Sequence, residues 1–291
     1  VGDLDAQEEY DWFAFYPYNN NISTPANKSN NGYVNVGAKT QTQVGNSNMD
    51  HVAGADFPLA GVATYASTQP ELTMNHLASL LKVHVTNNSS SSLTVTGVTF
   101  TGTEDIVGTY YIDFTDLTAV KYTSSGENYV SAATTLTIVN GTEIPVGGTA
   151  DFYLGIKPFT APAESKLSVG VNTCIKEIAL TDAVTFTAGK IKTLNFSYVE
   201  PALPVGIANI KTEANEAGAS FAVKLENAVV TYVSGSNAYI EDDEAGILVY
   251  YSGHGLKVGE KLNGDVSGTV KLYNGLREIT AMDLTNVEKT S

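Results

Sequence analysis

A near-continuous β signal constrains this chain more than anything else in it. Runs rich in Val, Thr, Tyr, Phe and Ile alternate with Gly/Asn/Ser turns at short intervals over most of its length. The clearest runs before residue 200 are 93–101, 108–114, 133–139, 149–157, 166–172, 176–180 and 190–199. In the last of these, Ile191, Leu194, Phe196 and Tyr198 form a period-2 face after an irregular start. Leu93 and Val95 fall out of phase with Val98 and Phe100 at Thr96-Gly97, the signature of a β-bulge. Only 71–85 mixes periods. Leu72, Met74 and His76 alternate, Leu77, Leu80 and Leu81 sit at helical spacing, and Val83 and Val85 alternate again. The expectation there is strand, one helical turn at 76–79, and strand, with one continuous helix as the alternative. Residues 19–31 and 41–54 are Asn/Ser/Gly-rich and read as long loops. The run containing Trp12, Phe13, Phe15, Tyr16 and Tyr18 has large side chains on both faces, so it is expected to lie sandwiched between other elements.

A boundary falls at Glu200-Pro201-Ala202-Leu203-Pro204, where two prolines flank a stretch without periodicity. It is read as a linker, 200–204, between a domain of residues 1–199 and one of residues 205–291. The second domain shows five strand runs, 221–232, 237–241, 246–251, 261–273 and 276–284. A glycine-containing connection, 253–260, follows the third. That pattern fits a five-stranded Greek-key barrel of OB type, with an SH3-like barrel as the alternative. The fold class expected is all-β, a sandwich followed by a small barrel.

Composition narrows the chemistry. The 291 residues hold 16 Lys+Arg against 31 Asp+Glu, a formal net charge of -15. A nucleic-acid binder needs basic residues to displace counterions, so that class is excluded. With 43% hydrophobic residues the chain can form a core, and disorder is excluded. The charged fraction is only 16%, and Ser, Thr and Asn supply much of the polar surface, which points outside the cell. No run of about 18 apolar residues is present to form a membrane-spanning helix. Residues 1–9 are acidic and lack the features of a signal peptide, so the chain is read either as cytosolic or, in better accord with its surface, as a trimmed form of an exported protein.

Catalytic signals are missing. His51, His76, His84 and His254 show no zinc-type spacing and read as structural. No GxSxG elbow occurs. Cys174, the only cysteine, excludes an intrachain disulfide and reads as a small core hydrophobe. The run Glu241-Asp242-Asp243-Glu244 lacks the interleaved spacing of a calcium loop and reads as a solvated hairpin turn. No metal or cofactor is expected. From Val205 onward there are seven basic and twelve acidic residues, so the barrel lacks the groove an OB fold uses for single strands. Its tyrosines suit a sugar ring or a protein partner, since they offer a flat apolar surface and a hydroxyl. Tyr239, Tyr250, Tyr251 and Tyr273 are the candidate ligand residues, within a set that includes Tyr232. Their packing in the protein itself is the alternative.

Four segments carry a resemblance to a known family. They are Asp11-Trp12-Phe13-Ala14-Phe15-Tyr16-Pro17-Tyr18, the stretch from Met74 through Asn75-His76-Leu77 to Val85, Gly155-Ile156-Lys157-Pro158, and Phe186-Thr187-Ala188-Gly189-Lys190 leading to Phe196. In this order they resemble the N-terminal domain of the fimbrillin-like proteins of Bacteroides-type bacteria, over roughly residues 8–199. The resemblance implies a transthyretin-like β-sandwich, export as a lipoprotein to the outer membrane and cell surface, and assembly into fimbriae (pili) by strand donation. The family's second sandwich is replaced here by the barrel, whose runs Tyr239-Ile240-Glu241 and Leu256-Lys257-Val258-Gly259 resemble OB-fold modules of bacterial surface proteins. The lipid-bearing cysteine and removable strand the family implies are expected upstream of Val1. The functional expectation is a non-enzymatic surface protein, a fimbrial tip or accessory subunit or cell-adhesion protein, partnered by other fimbrial subunits through strand addition and by a glycan or host-surface protein. A surface glycan-binding lipoprotein that does not polymerise is the alternative.

Overall fold

The structure is a computed structural model that describes residues 9–18, 31–54, 56–65, 71–113, 117, 121–127 and 129–291. The chain divides into two compact units, Val1–Glu200 and Pro201–Ser291.

The first unit contains β1 (Tyr10–Tyr16), β2 (Asn31–Val36), β3 (Thr40–Val44), β4 (Leu59–Tyr65), β5 (Asn75–His76), β6 (Ser79–Asn87), β7 (Leu93–Thr101), β8 (Val107–Asp113) and β9 (Tyr122–Ser124). It continues with β10 (Val130–Ser131), β11 (Ala133–Ile144), β12 (Thr149–Ile156), β13 (Phe159–Ala161), β14 (Lys166–Val171), β15 (Cys174–Ala179), β16 (Val184–Phe186) and β17 (Ile191–Tyr198). A five-stranded sheet in the order β15-β14-β7-β11-β3 packs over a three-stranded sheet in the order β12-β6-β17. Alternation explains the packing: Leu81, Val83 and Val85 of β6 point inward to meet Phe100, Leu136, Phe152, Val169 and Phe196 in one core. Phe186 closes it, edge-on to Phe100 and stacked on Phe159. Gly170 faces Gly97 while Val171 faces Val95, so Thr96 is the extra residue of a bulge, where the sequence loses its phase. A second, smaller core forms where β2, β4, β8 and β10 bring together Val34, Val36, Ala60, Tyr110 and Val130.

Three expectations change here. Residues 77–78 are not helical: β5 ends at His76 and β6 begins at Ser79, with Leu77 and Ala78 fully buried between them. The leucine spacing reflects burial on both faces of β6, not a helical stripe. Residues 41–54 are not one loop but hold β3 and a single 3-10 turn, Asp50–Val52. Strand β1 is not covered on both faces, since Phe13 is 41% and Tyr16 61% exposed. The loop expected at 19–31 and the reading of residues 1–9 fall almost wholly outside the described residues.

The second unit holds α1 (Ile207–Glu213), β18 (Ala219–Ser234), β19 (Asn237–Glu241), β20 (Gly246–Tyr250), β21 (Lys261–Tyr273), β22 (Leu276–Asp283) and β23 (Val287–Thr290). Pairing runs β18-β19-β20-β22-β21 and returns from β21 to β18, which closes a five-stranded barrel; β20 and β22 are parallel. This is the Greek-key order of an OB fold. At Gly268 a side chain would collide with the carbonyl oxygen of Ala281, so only glycine lets β21 curve this closely along β22. The helix and β23 lie outside the five strand runs read from the sequence. Ile207 and Ile210 of α1 complete the barrel core with Val223, Leu225, Ile240, Val249 and Ile279.

Candidate functional site

Tyrosines gather on the outer face of the barrel. Tyr232 lies opposite Tyr239 across β18 and β19, with the rings edge to face and centroids 6.1 Å apart. Tyr239 faces Leu248 in β20, Leu248 faces Glu278 in β22, and Glu278 faces Lys271 in β21. These form one row across the sheet, and alternation adds Tyr250 on the same face of β20 and Tyr273 on the same face of β21. Tyr232, Tyr239, Tyr250 and Tyr273 are 51%, 42%, 50% and 55% exposed. Leu248 and Glu278 are buried in this row, although neither belongs to the barrel core. The face thus has a covered floor and exposed aromatic groups, an arrangement able to stack on a flat, uncharged ligand.

Tyr251 stands apart. Its hydroxyl donates to Met282 O at 3.3 Å and its ring meets His254 edge-on, against the barrel core. Burial raises its hydroxyl pKa above the ordinary value. The structure therefore brings together Tyr239 and Tyr250, with Tyr273 on the same outer face, and turns Tyr251 inward. Tyr232, left out of the candidate ligand residues, is the ring that pairs with Tyr239.

The acidic run has a structural use. Asp242 Oδ2 accepts from Ile207 N at 2.7 Å, and Oδ1 accepts from Ala245 N at 2.8 Å and Glu244 N at 3.1 Å. One side chain thus tightens the β19–β20 turn and caps α1. Burial works against its charge, yet these backbone donors hold the carboxyl below its ordinary pKa.

In the sandwich, charged groups pair at several places, one of them the outer face of the three-stranded sheet. Asp151 meets Lys82 at 2.8 Å and His84, directly across the strands, at 2.6 Å. Burial would raise the Asp151 carboxyl, but the hydrogen bonds from Lys82 and His84 outweigh it and hold its pKa down. Lys157 is buried beside Glu104 at 3.3 Å, with its ammonium 5.4 Å from the Tyr110 ring centroid and 5.9 Å from that of Phe159. These contacts satisfy the charges. Among the described residues no three His, Cys, Asp or Glu side chains converge to hold a metal ion.

The edges of the two sheets differ in kind. The outer edge of β12 is met by side chains of Gln41, Gln43, Asn46 and His51. Across the sandwich, β15 pairs only with β14 and β17 only with β6 among the described strands. Ile175 on β15 is 77% exposed, Ile178 39%, and Ile191 on β17 54%. Cys174 is exposed at the start of β15 rather than buried, because it ends the hairpin turn at Asn172-Thr173 on an edge strand.

No family model matches the chain, and no curated protein matches it. Three solved structures of candidate cell adhesion proteins are similar to it. The one from Bacteroides ovatus shows 15% identity and a TM-score of 0.38, covering 67% of this chain and 64% of its own. That from Bacteroides uniformis shows 16% identity and a TM-score of 0.36, over 65% of this chain and 68% of its own. That from Bacteroides thetaiotaomicron shows 13% identity and a TM-score of 0.33, over 67% and 71%. The chain thus spans less than two thirds of the first of these proteins, and overlaps this distant assign it no activity.

Proposed function

We propose that this chain is a non-enzymatic cell-surface protein, a tip or accessory subunit of a fimbria or a related adhesion protein, and that it assembles by β-strand addition. The sequence resemblance to fimbrillin-like domains motivates the reading. The observation that carries it is the edge of β15, which pairs only with β14 among the described strands and presents the exposed side chains of Ile175 and Ile178 to an extended strand of a neighbouring subunit. Pairing there continues the five-stranded sheet and needs no catalytic group. A lipid anchor on the upstream sequence would tether the protein to the outer membrane. The test is electron microscopy of purified fimbriae with antibody to this chain, comparing wild type with an Ile175→Lys/Ala179→Lys variant. Both positions are exposed, so the fold tolerates the change while added charge discourages edge pairing. Label along or at the tip of wild-type fimbriae, lost in the variant, supports the proposal. Absence of label from every fimbria refutes it.

A second reading rests on the outer face of the barrel. There the Tyr232–Tyr239 pair with Tyr250 suits stacking on a sugar ring, in a glycan-binding surface protein that does not polymerise. Binding on a glycan array, lost in Tyr239→Ala/Tyr250→Ala and retained in Tyr251→Phe, supports this reading. No glycan bound by the wild type sinks it.

A further inference from the structure

Strand β3 is the last strand of the five-stranded sheet, and its residues alternate: Thr40, Thr42 and Val44 face outward, while Gln41 and Gln43 turn in toward β12 of the other sheet. These two glutamines are 9% and 0% exposed. Burying a side-chain amide is costly unless its donors and acceptor are all used. Here they are. Gly155 N donates to Gln41 Oε1 at 2.8 Å, and Gln41 Nε2 donates back to Gly155 O at 2.9 Å. That reciprocal exchange is the bonded pair of an antiparallel ladder, made with a side chain. Gln41 Nε2 also reaches Thr134 Oγ1 at 3.0 Å. One step along, Tyr153 N donates to Gln43 Oε1 at 3.0 Å, and Gln43 Nε2 donates to Asp151 O at 3.0 Å and Gly45 O at 2.8 Å.

The chain after β3 completes the row. Asp151 N donates to Asn46 Oδ1 at 2.9 Å, and Ser47 N donates to Asp151 O at 3.1 Å. His51 Nε2 lies 2.8 Å from Tyr153 O; a carbonyl only accepts, so this nitrogen carries the proton. Every outward N–H and C=O of Asp151, Tyr153 and Gly155 is therefore engaged. An amide side chain carries the same donor and acceptor as a peptide group, so it can stand where a neighbouring strand would. Apolar side chains at 41 and 43 would fill the same space more cheaply, but they would leave a run of open ladder groups, the template for edge-to-edge pairing.

We infer that Gln41 and Gln43 act as a side-chain strand that closes the β12 edge of the sandwich to pairing with any other chain. The inference stands whether or not the protein assembles through β15. The test is residue-resolved amide hydrogen exchange on the full chain. In the wild type, Tyr153 and Gly155 amides exchange at least roughly tenfold slower than the outward amides of β15, although both strands are sheet edges. In Gln41→Leu/Gln43→Leu the two amides lose that protection, and analytical ultracentrifugation detects a self-association the wild type lacks. Wild-type amides at 153 and 155 exchanging as fast as those of β15 overturn the inference without need of the variant. Lost protection with no new association also overturns it, leaving the glutamines as a stitch between sheets and not a guard.

Discussion

At the scale of single residues, Asp242 shows how one side chain ties distant parts of the barrel together. It accepts from backbone groups on both sides of a 35-residue separation, at Ile207 and at Glu244-Ala245. Removing a charged acceptor strands these donors, so Asp242→Ala is expected to destabilise the barrel by about 1–3 kcal/mol at pH 7 in urea unfolding. The folded carboxyl titrates below its ordinary value, so this stabilisation is complete above the unfolded pKa of about 3.9 and is lost as pH falls through the folded pKa. The gap between wild type and variant should therefore narrow as pH falls below about 3.9 and through the folded pKa. A gap that does not narrow in acid contradicts the assignment. Asn87 has the same standing in the sandwich. Fully buried, it donates to Ser91 O and Ile144 O and accepts from Ser89 N. Asn87→Ala should cost at least about 2 kcal/mol, against under about 0.5 kcal/mol for the exposed neighbour Asn88→Ala, by the same measurement. Equal effects would show that the buried amide does not organise the turn.

At the scale of elements, what the sequence discloses depends on whether a residue's environment is local. The alternation in β19, the strand content of the barrel and the bulge at Thr96 are local, and each is legible. Gln41 and Gln43 are not. Polar residues among Ser, Asn and Gly look like loop, and only the arrival of β12, more than 100 residues later, makes them core. Tyr250 and Tyr251 are adjacent, and strand phase should send them to opposite faces. That phase is blurred because Ile247, Leu248 and Val249 are all buried, Leu248 beneath the outer face. Asp242 reads as a solvated turn because its helix partner precedes it by two whole strands. The outer tyrosines are exposed, so Tyr239→Ala should change the unfolding midpoint little, whereas Tyr251→Ala should cost about 1–3 kcal/mol by loss of a ring half-buried against the core. The reverse order in thermal unfolding would show that the ring assignment is wrong.

At the scale of the whole molecule, each unit has its own core, and the strands that close the barrel all lie within residues 201–291. That segment produced alone is expected to unfold in a single cooperative transition, with a circular dichroism spectrum dominated by β structure; a non-cooperative melt would show that its core is incomplete. The sandwich edges differ in their cover: amide side chains occupy the edge of β12, while β15 and β17 carry none of this cover among the described residues. In the proposed assembly β15 is the strand that receives a neighbour's strand. Cys174, the only cysteine, is exposed at the start of β15 and reports on that place without any substitution. The most direct measurement is its rate of maleimide labelling in the isolated protein and in intact fimbriae from the cell surface. Fast labelling of the isolated chain and strong protection in the fimbria are expected, because in the proposed assembly an added strand covers the β15 edge. Equally fast labelling in both would contradict it.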